Sequence, residues 1–135
     1  HTDAGLCTGE KLVTQSGFLP YIVGRTVDML QPDLGICGGV SEIMPICAMA
    51  ELYDIGISLH TCHSPISIAA SLQVEAVLPN FCVHEVHKSA LLEENIALGS
   101  EPLCVKNGKY TLPEGNGIGV ELSDWALRNC ERLVF

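Results

Sequence analysis

The strongest constraint on the fold is a repeat: four short apolar runs, each closed by an ionisable residue, recur at nearly even intervals. The runs read as strands over residues 5–8, 27–31, 55–59 and 81–84, and the residues that close them, Glu10, Asp33, His60 and Glu85, lie 23, 27 and 25 residues apart. Each interval has the length of one strand, one helix and two short loops, so the pattern predicts βα units feeding a parallel sheet. All four ionisable groups then reach the C-terminal edge of that sheet, where the loops of α/β barrels build their sites. Period-2 alternation predicts that Leu30, Leu59 and His84 face the helices while Asp33, His60 and Glu85 face the barrel axis. His84 is the discordant residue, because the helix side of such a strand is ordinarily apolar.

Two helices stand out between the strands. One runs from Pro65 to about Val77, with Ser64 as N-cap, Pro65 at the first helical position, and Ile66, Ala69, Ala70, Val74 and Val77 on a broad apolar face. The other covers roughly Ser41 to Leu52 after the turn-forming Gly38-Gly39, with Glu42 near its N-terminal dipole. Pro45 lacks the donor its position needs, which predicts a later start or a kink. Beyond Lys88 the periodicity weakens. Asn107-Gly108 marks a hairpin between residues 103–106 and 109–112, Gly115, Gly117 and Gly119 mark a loop, and Trp125-Ala126-Leu127 suggests a short terminal helix. This divides the chain into barrel units with the last barrel strand over 1–87 and a tail over 88–135.

Composition narrows the function classes. With 135 residues and 47% hydrophobic content the chain can bury one globular core. A formal charge of −9 disfavours nucleic acid and anionic lipid, both of which require clustered Lys and Arg. The seven cysteines (7, 37, 47, 62, 82, 104 and 130) are odd in number and contain no CxxC pair, which points to reduced thiols and a cytoplasmic location. None has an obvious basic neighbour to lower its thiol pKa, so none is given a catalytic role. No apolar run approaches the ~20 residues that would span a membrane, and His1-Thr2-Asp3 opens the chain with neither a basic nor an apolar leader region.

The residue types at the strand ends permit a specific chemistry. An Asp beside a His on the next strand tip orients the imidazole and raises its basicity, as a general base near neutral pH requires. Glu85 can supply a proton or a hydrogen bond, and Glu10 offers the hard oxygen donors that Mg²⁺ prefers, as one ligand among several. A rival reading gathers His60, Cys62, His63, Cys82, His84 and His87 into a zinc module, since imidazole and thiolate suit that ion.

Taken in order, the segments Thr8-Gly9-Glu10, Gln31-Pro32-Asp33-Leu34, Gly38-Gly39-Val40-Ser41-Glu42, Ala48-Met49-Ala50-Glu51-Leu52-Tyr53-Asp54 and Pro79-Asn80-Phe81 resemble the mandelate racemase/muconate lactonizing branch of the enolase superfamily. Within that branch they are most similar to galactonate dehydratase-like sugar-acid dehydratases. The resemblance spans nearly the whole chain, including the Asn107-Gly108 hairpin and the Gly115–Gly119 segment. It implies an α/β fold, the C-terminal part of a (β/α)7β barrel. It also implies that Glu10 is the third metal-binding carboxylate, that Asp33 and His60 form the Asp–His dyad, and that Glu85 is the Glu of the last barrel strand. The implied reaction is Mg²⁺-dependent removal of the proton α to a carboxylate, with dehydration of a small-molecule sugar acid to a 2-keto-3-deoxy acid, in a homo-oligomer.

Departures from the pattern shape these expectations. Lys11 follows the metal Glu where relatives often carry Arg, and the loop from His60 to Pro65 lacks the usual Pro before the His, which leaves the substrate open. The other two metal carboxylates, the opposing Lys base and the capping domain have no counterpart among these residues. They are expected upstream, and the isolated 135 residues are expected to be inactive. Racemisation or epimerisation, and a non-catalytic half-barrel, stand as alternatives.

Overall fold

The computed structural model describes residues 3–129. Three two-residue strands, β1 (Cys7–Thr8), β2 (Met29–Leu30) and β3 (Gly56–Ile57), form a parallel sheet in the order β1-β2-β3. The register pairs Thr8 with Leu30 and Leu30 with Ile57. The ladders are shorter than the sequence runs, but the first three strands and their parallel direction are those the repeat predicts. The connections are α1 (Thr14–Gly24) between β1 and β2, then α2 (Leu34–Cys37) and α3 (Val40–Glu51) between β2 and β3, with α4 (Pro65–Glu75) after β3. Together these elements are an α/β fold of parallel strands alternating with helices.

The chain divides into two compact units. The first comprises His1–Thr61 and Val74–Glu85, and the second Cys62–Gln73 and Val86–Phe135, so α4 contributes its last two residues to the first unit. In the first unit Phe18 and Ile22 of α1, Leu30 and Ile57 of the sheet, Leu59, Ile43, Ile46, Cys47 and Ala50 of α3, and Val74 form one buried cluster. Each large side chain in such a cluster contributes roughly 1.5–3 kcal/mol through removal from water. Leu30 and Leu59 lie in this core, as the alternation requires.

The structure departs from the sequence pattern at three elements. The helix α1 has no clear sequence signal, because Gly17 and Pro20 interrupt its pattern. Burial of Phe18 and Ile22, four residues apart on one helix face, outweighs those two weak helix formers, and the Glu42 carboxylate of α3 accepts the Gln15 N–H at 2.9 Å in the first turn. The helix α3 begins at Val40 and continues across Pro45. Loss of one rung is offset by four buried residues, Ile43, Ile46, Cys47 and Ala50. The fourth strand, expected over 81–84, is reduced to a single parallel bridge between Ile57 and Phe81. Beyond that bridge the Glu75 carboxylate, rather than a strand carbonyl, accepts the Leu59 N–H.

In the second unit α4 starts at Pro65, with Ser64 Oγ accepting the Ser67 N–H at 3.5 Å. Gln73 Nε2 donates to the carbonyls of Pro113 (2.8 Å) and Ile118 (3.3 Å), holding the glycine-rich loop against the helix. A 3₁₀ turn over Lys88–Leu91 leads into α5 (Glu93–Ile96), and Gly99 and Leu122 form an antiparallel bridge before α6 (Asp124–Asn129), which is the expected terminal helix. The hairpin closes at a bridge between Lys106 and Lys109, and positive φ at both Asn107 (52°) and Gly108 (73°) defines a type I′ turn. Cys130 lies outside the described residues, and no helix among those described is long and apolar enough to cross a membrane.

Candidate active site

The sheet brings three of the four strand-end residues into contact. Gly9, at φ 145°, precedes Glu10, and a Cβ at this position would approach the Gln31 backbone to 2.8 Å. Only glycine allows β1 to close on β2 here, with the Gln31 N–H donating to the Thr8 carbonyl at 2.8 Å. Asp33 follows β2 and caps α2, its Oδ1 accepting the Gly35 N–H at 2.8 Å. Beyond the regular ladders Asp33 forms a further parallel bridge with His60, with the His60 N–H donating to the Pro32 carbonyl. Backbone pairing therefore sets the two side chains side by side, with His60 Nδ1 2.7 Å from Asp33 Oδ2.

The Asp33 side chain is fully buried, whereas His60 retains 15% exposure and Glu10 53%. A carboxylate accepts hydrogen bonds only, so a contact at this distance places an imidazole proton on Nδ1 and leaves Nε2 on the side of Glu10. That nitrogen lies 3.4 Å from Glu10 Oε2. Glu10 also lies 3.8 Å from the Lys11 ammonium, a weak exposed pairing. Glu85 joins the group through the residue after His60: its Oε2 accepts the Thr61 N–H at 3.2 Å, and the Thr61 hydroxyl donates to the Glu85 carbonyl.

Sequence reasoning missed Glu75, the last residue of α4. Its side chain is 3% exposed; Oε1 accepts the Leu59 N–H at 3.3 Å and Oε2 lies 2.6 Å from His84 Nδ1. This accounts for the histidine on the helix side, since a buried carboxylate faces it. The available signal is a Glu within the apolar stretch Leu72-Gln73-Val74-Glu75-Ala76-Val77, matched by a polar residue at the helix-facing position of the next strand.

The zinc module does not assemble among the described residues, because no three of His60, Cys62, His63, Cys82, His84 and His87 bring their ligand atoms within 4.8 Å of one another. His84 is engaged by Glu75, and Cys82 donates to the Asn80 carbonyl. The buried thiols are inert. Burial pushes the Cys37 thiol up and carries Cys47 to about 12. Glu10 is a half-exposed carboxylate at a strand tip and offers oxygen donors of the kind a hard cation takes, but among the described residues it belongs to no group of three that could hold an ion.

Residues 1–126 match the family described as enolase C-terminal domain-like. The chain belongs to the enolase superfamily. It falls in the mandelate racemase/muconate lactonizing branch. A solved enolase-superfamily member from Salmonella Typhimurium superposes with a TM-score of 0.91 at 38% identity, over 95% of this chain and 33% of that one. The D-galactonate dehydratase of Xanthomonas axonopodis pv. citri is 32% identical over 94% of this chain and 35% of its own length. The D-xylonate dehydratase of Haloferax volcanii is 35% identical over 84% of this chain and 31% of its own length. This enolase-superfamily chain thus spans about a third of the length of these curated relatives.

Proposed function

We propose that these residues supply the acid–base side of a Mg²⁺-dependent sugar-acid dehydratase, acting on an aldonate within the full-length protein. The observation that carries the reading is the Asp33–His60 pair: a buried carboxylate 2.7 Å from Nδ1 of an imidazole whose other nitrogen faces outward beside Glu10. The relatives that share this stretch of chain include dehydratases of D-galactonate and D-xylonate, two acids that differ in length, which supports the reaction class rather than one substrate.

Glu10 would hold Mg²⁺ together with ligands from elsewhere in the protein, and the ion, when bound, would offset the negative charge that grows on the substrate carboxylate as its α-proton leaves. His60 Nε2 takes that proton, with Asp33 fixing the tautomer and stabilising the imidazolium. The proton held on Nε2 is then passed to the hydroxide leaving the adjacent carbon, so one water departs and the remaining enol tautomerises to the 2-keto-3-deoxy acid. Glu85 presents its carboxyl group beside the substrate and contributes a hydrogen bond to the reacting carboxylate.

The test is proton exchange at the substrate α-carbon in D₂O, followed by NMR in the full-length protein with Mg²⁺ and a panel of aldonates. His60→Asn is expected to abolish exchange, a loss of at least about 10³-fold, while Mg²⁺ affinity stays within roughly twofold. Unchanged exchange in that variant removes His60 from the role of base.

A further inference from the structure

The regular ladder between the third and fourth strand positions stops where it would reach the site. The Ile57 N–H donates to the Asn80 carbonyl and the Cys82 N–H to the Ile57 carbonyl, as parallel pairing requires. The next rung of such a ladder would run from the Leu59 N–H to the Cys82 carbonyl. Instead Leu59 donates to Glu75 Oε1 at 3.3 Å. The carboxylate has been inserted between the strands in place of a rung, and its second oxygen holds His84 at 2.6 Å. One residue further along each strand are His60 and Glu85, and Thr61, the residue after His60, donates to Glu85 through both its N–H and its hydroxyl.

We propose that Glu75 and His84 are a positioning pair that holds the third and fourth strand tips at the separation the His60 and Glu85 side chains require. The inference rests on the dehydratase reading for what those side chains do. It explains three costs at once. A carboxylate on the last residue of a helix faces the negative end of the helix dipole. With 3% of its side chain exposed, Glu75 is also stripped of solvent. A regular strand rung is forgone as well. An apolar residue at position 75 would avoid the first two costs and allow the ladder to continue, but would draw His60 and Glu85 to ordinary strand spacing. The pair instead links one helix end to both strands immediately behind the two tips.

The experiment compares Glu75→Ala with the wild-type full-length protein, using amide hydrogen exchange by mass spectrometry and steady-state dehydration kinetics. In the folded variant, exchange in peptides covering residues 57–61 and 81–86 is expected to rise at least about tenfold, while peptides covering β1 and β2 stay within about twofold. The expected kinetic change is a fall in kcat of roughly 30-fold or more with KM within about threefold, because misplacement of reacting groups affects the chemical step more than binding. Glu75→Gln keeps an acceptor for Leu59 and a donor toward His84 and should recover most of both. A folded Glu75→Ala with wild-type kcat, or with exchange raised uniformly along the chain, overturns the proposal. If Glu75→Ala does not fold, His84→Ala is read by the same criteria. A wild type that dehydrates no aldonate, in a background where Glu75→Ala still shows the local exchange signature, removes the reaction and keeps the positional role.

Discussion

Among the described residues of the first unit, the Asp33–His60 and Glu75–His84 carboxylate–imidazole pairs have almost the same contact distance, 2.7 Å and 2.6 Å. Their second nitrogens differ. His60 Nε2 faces the half-exposed Glu10, whereas His84 Nε2 is buried. Their carboxylates differ too: Asp33 spends its second oxygen capping its own helix at the Gly35 N–H, and Glu75 spends its second oxygen on the Leu59 N–H of a neighbouring strand. The same chemical pair therefore occurs once with its second nitrogen beside a half-exposed carboxylate and once with it buried. Contact distance alone does not separate the two pairs; the surroundings of the second nitrogen do.

The contrast can be broken or sharpened by substitution in the full-length protein. The largest effect is expected at Asp33→Asn, which keeps the shape but has one acceptor oxygen instead of two, so it cannot both cap α2 and accept the Nδ1 proton. Turnover should fall by roughly 10³- to 10⁴-fold, measured as α-proton exchange, with the fold intact by circular dichroism. A loss under tenfold would make the Asp33 pair a strut like the other. Next is Glu10→Gln, which tests the outward nitrogen's neighbour as a metal ligand. Mg²⁺ affinity by isothermal calorimetry should weaken by at least about tenfold, and equal affinity in this variant ends the assignment. The smallest effect is expected at His84→Gln, whose amide can still donate to Glu75. The expected cost is about 1 kcal/mol, seen as a fall in Tm of about 2–4 °C, with kcat within about threefold. A loss of activity comparable to that of Asp33→Asn would show that His84 acts in chemistry.

Much of the fold and of the site is legible in the order of residues alone. The even spacing of Glu10, Asp33, His60 and Glu85 requires no knowledge of packing, because one βα unit consumes a nearly constant length of chain, and a parallel sheet then sends every strand end to one edge. The Asn107-Gly108 turn is equally local, since positive φ at two successive residues selects its own chemistry. The helix α1 is hidden because Gly17 and Pro20 speak against it locally, while Phe18 and Ile22 speak for it only once a core exists to receive them.

Residue types and their order were enough for the strand sequence, the shared edge and the Asp–His dyad, because each follows from chain length per unit and side-chain alternation. Folding in three dimensions was needed to end the fourth strand after one bridge, to carry α3 through Pro45 and to pair Glu75 with His84. In each of these a contact distant along the chain outweighs the local preference: a carboxylate replaces a ladder rung, a buried helix face outweighs a lost hydrogen bond, and a discordant histidine finds its partner nine residues earlier on a helix end.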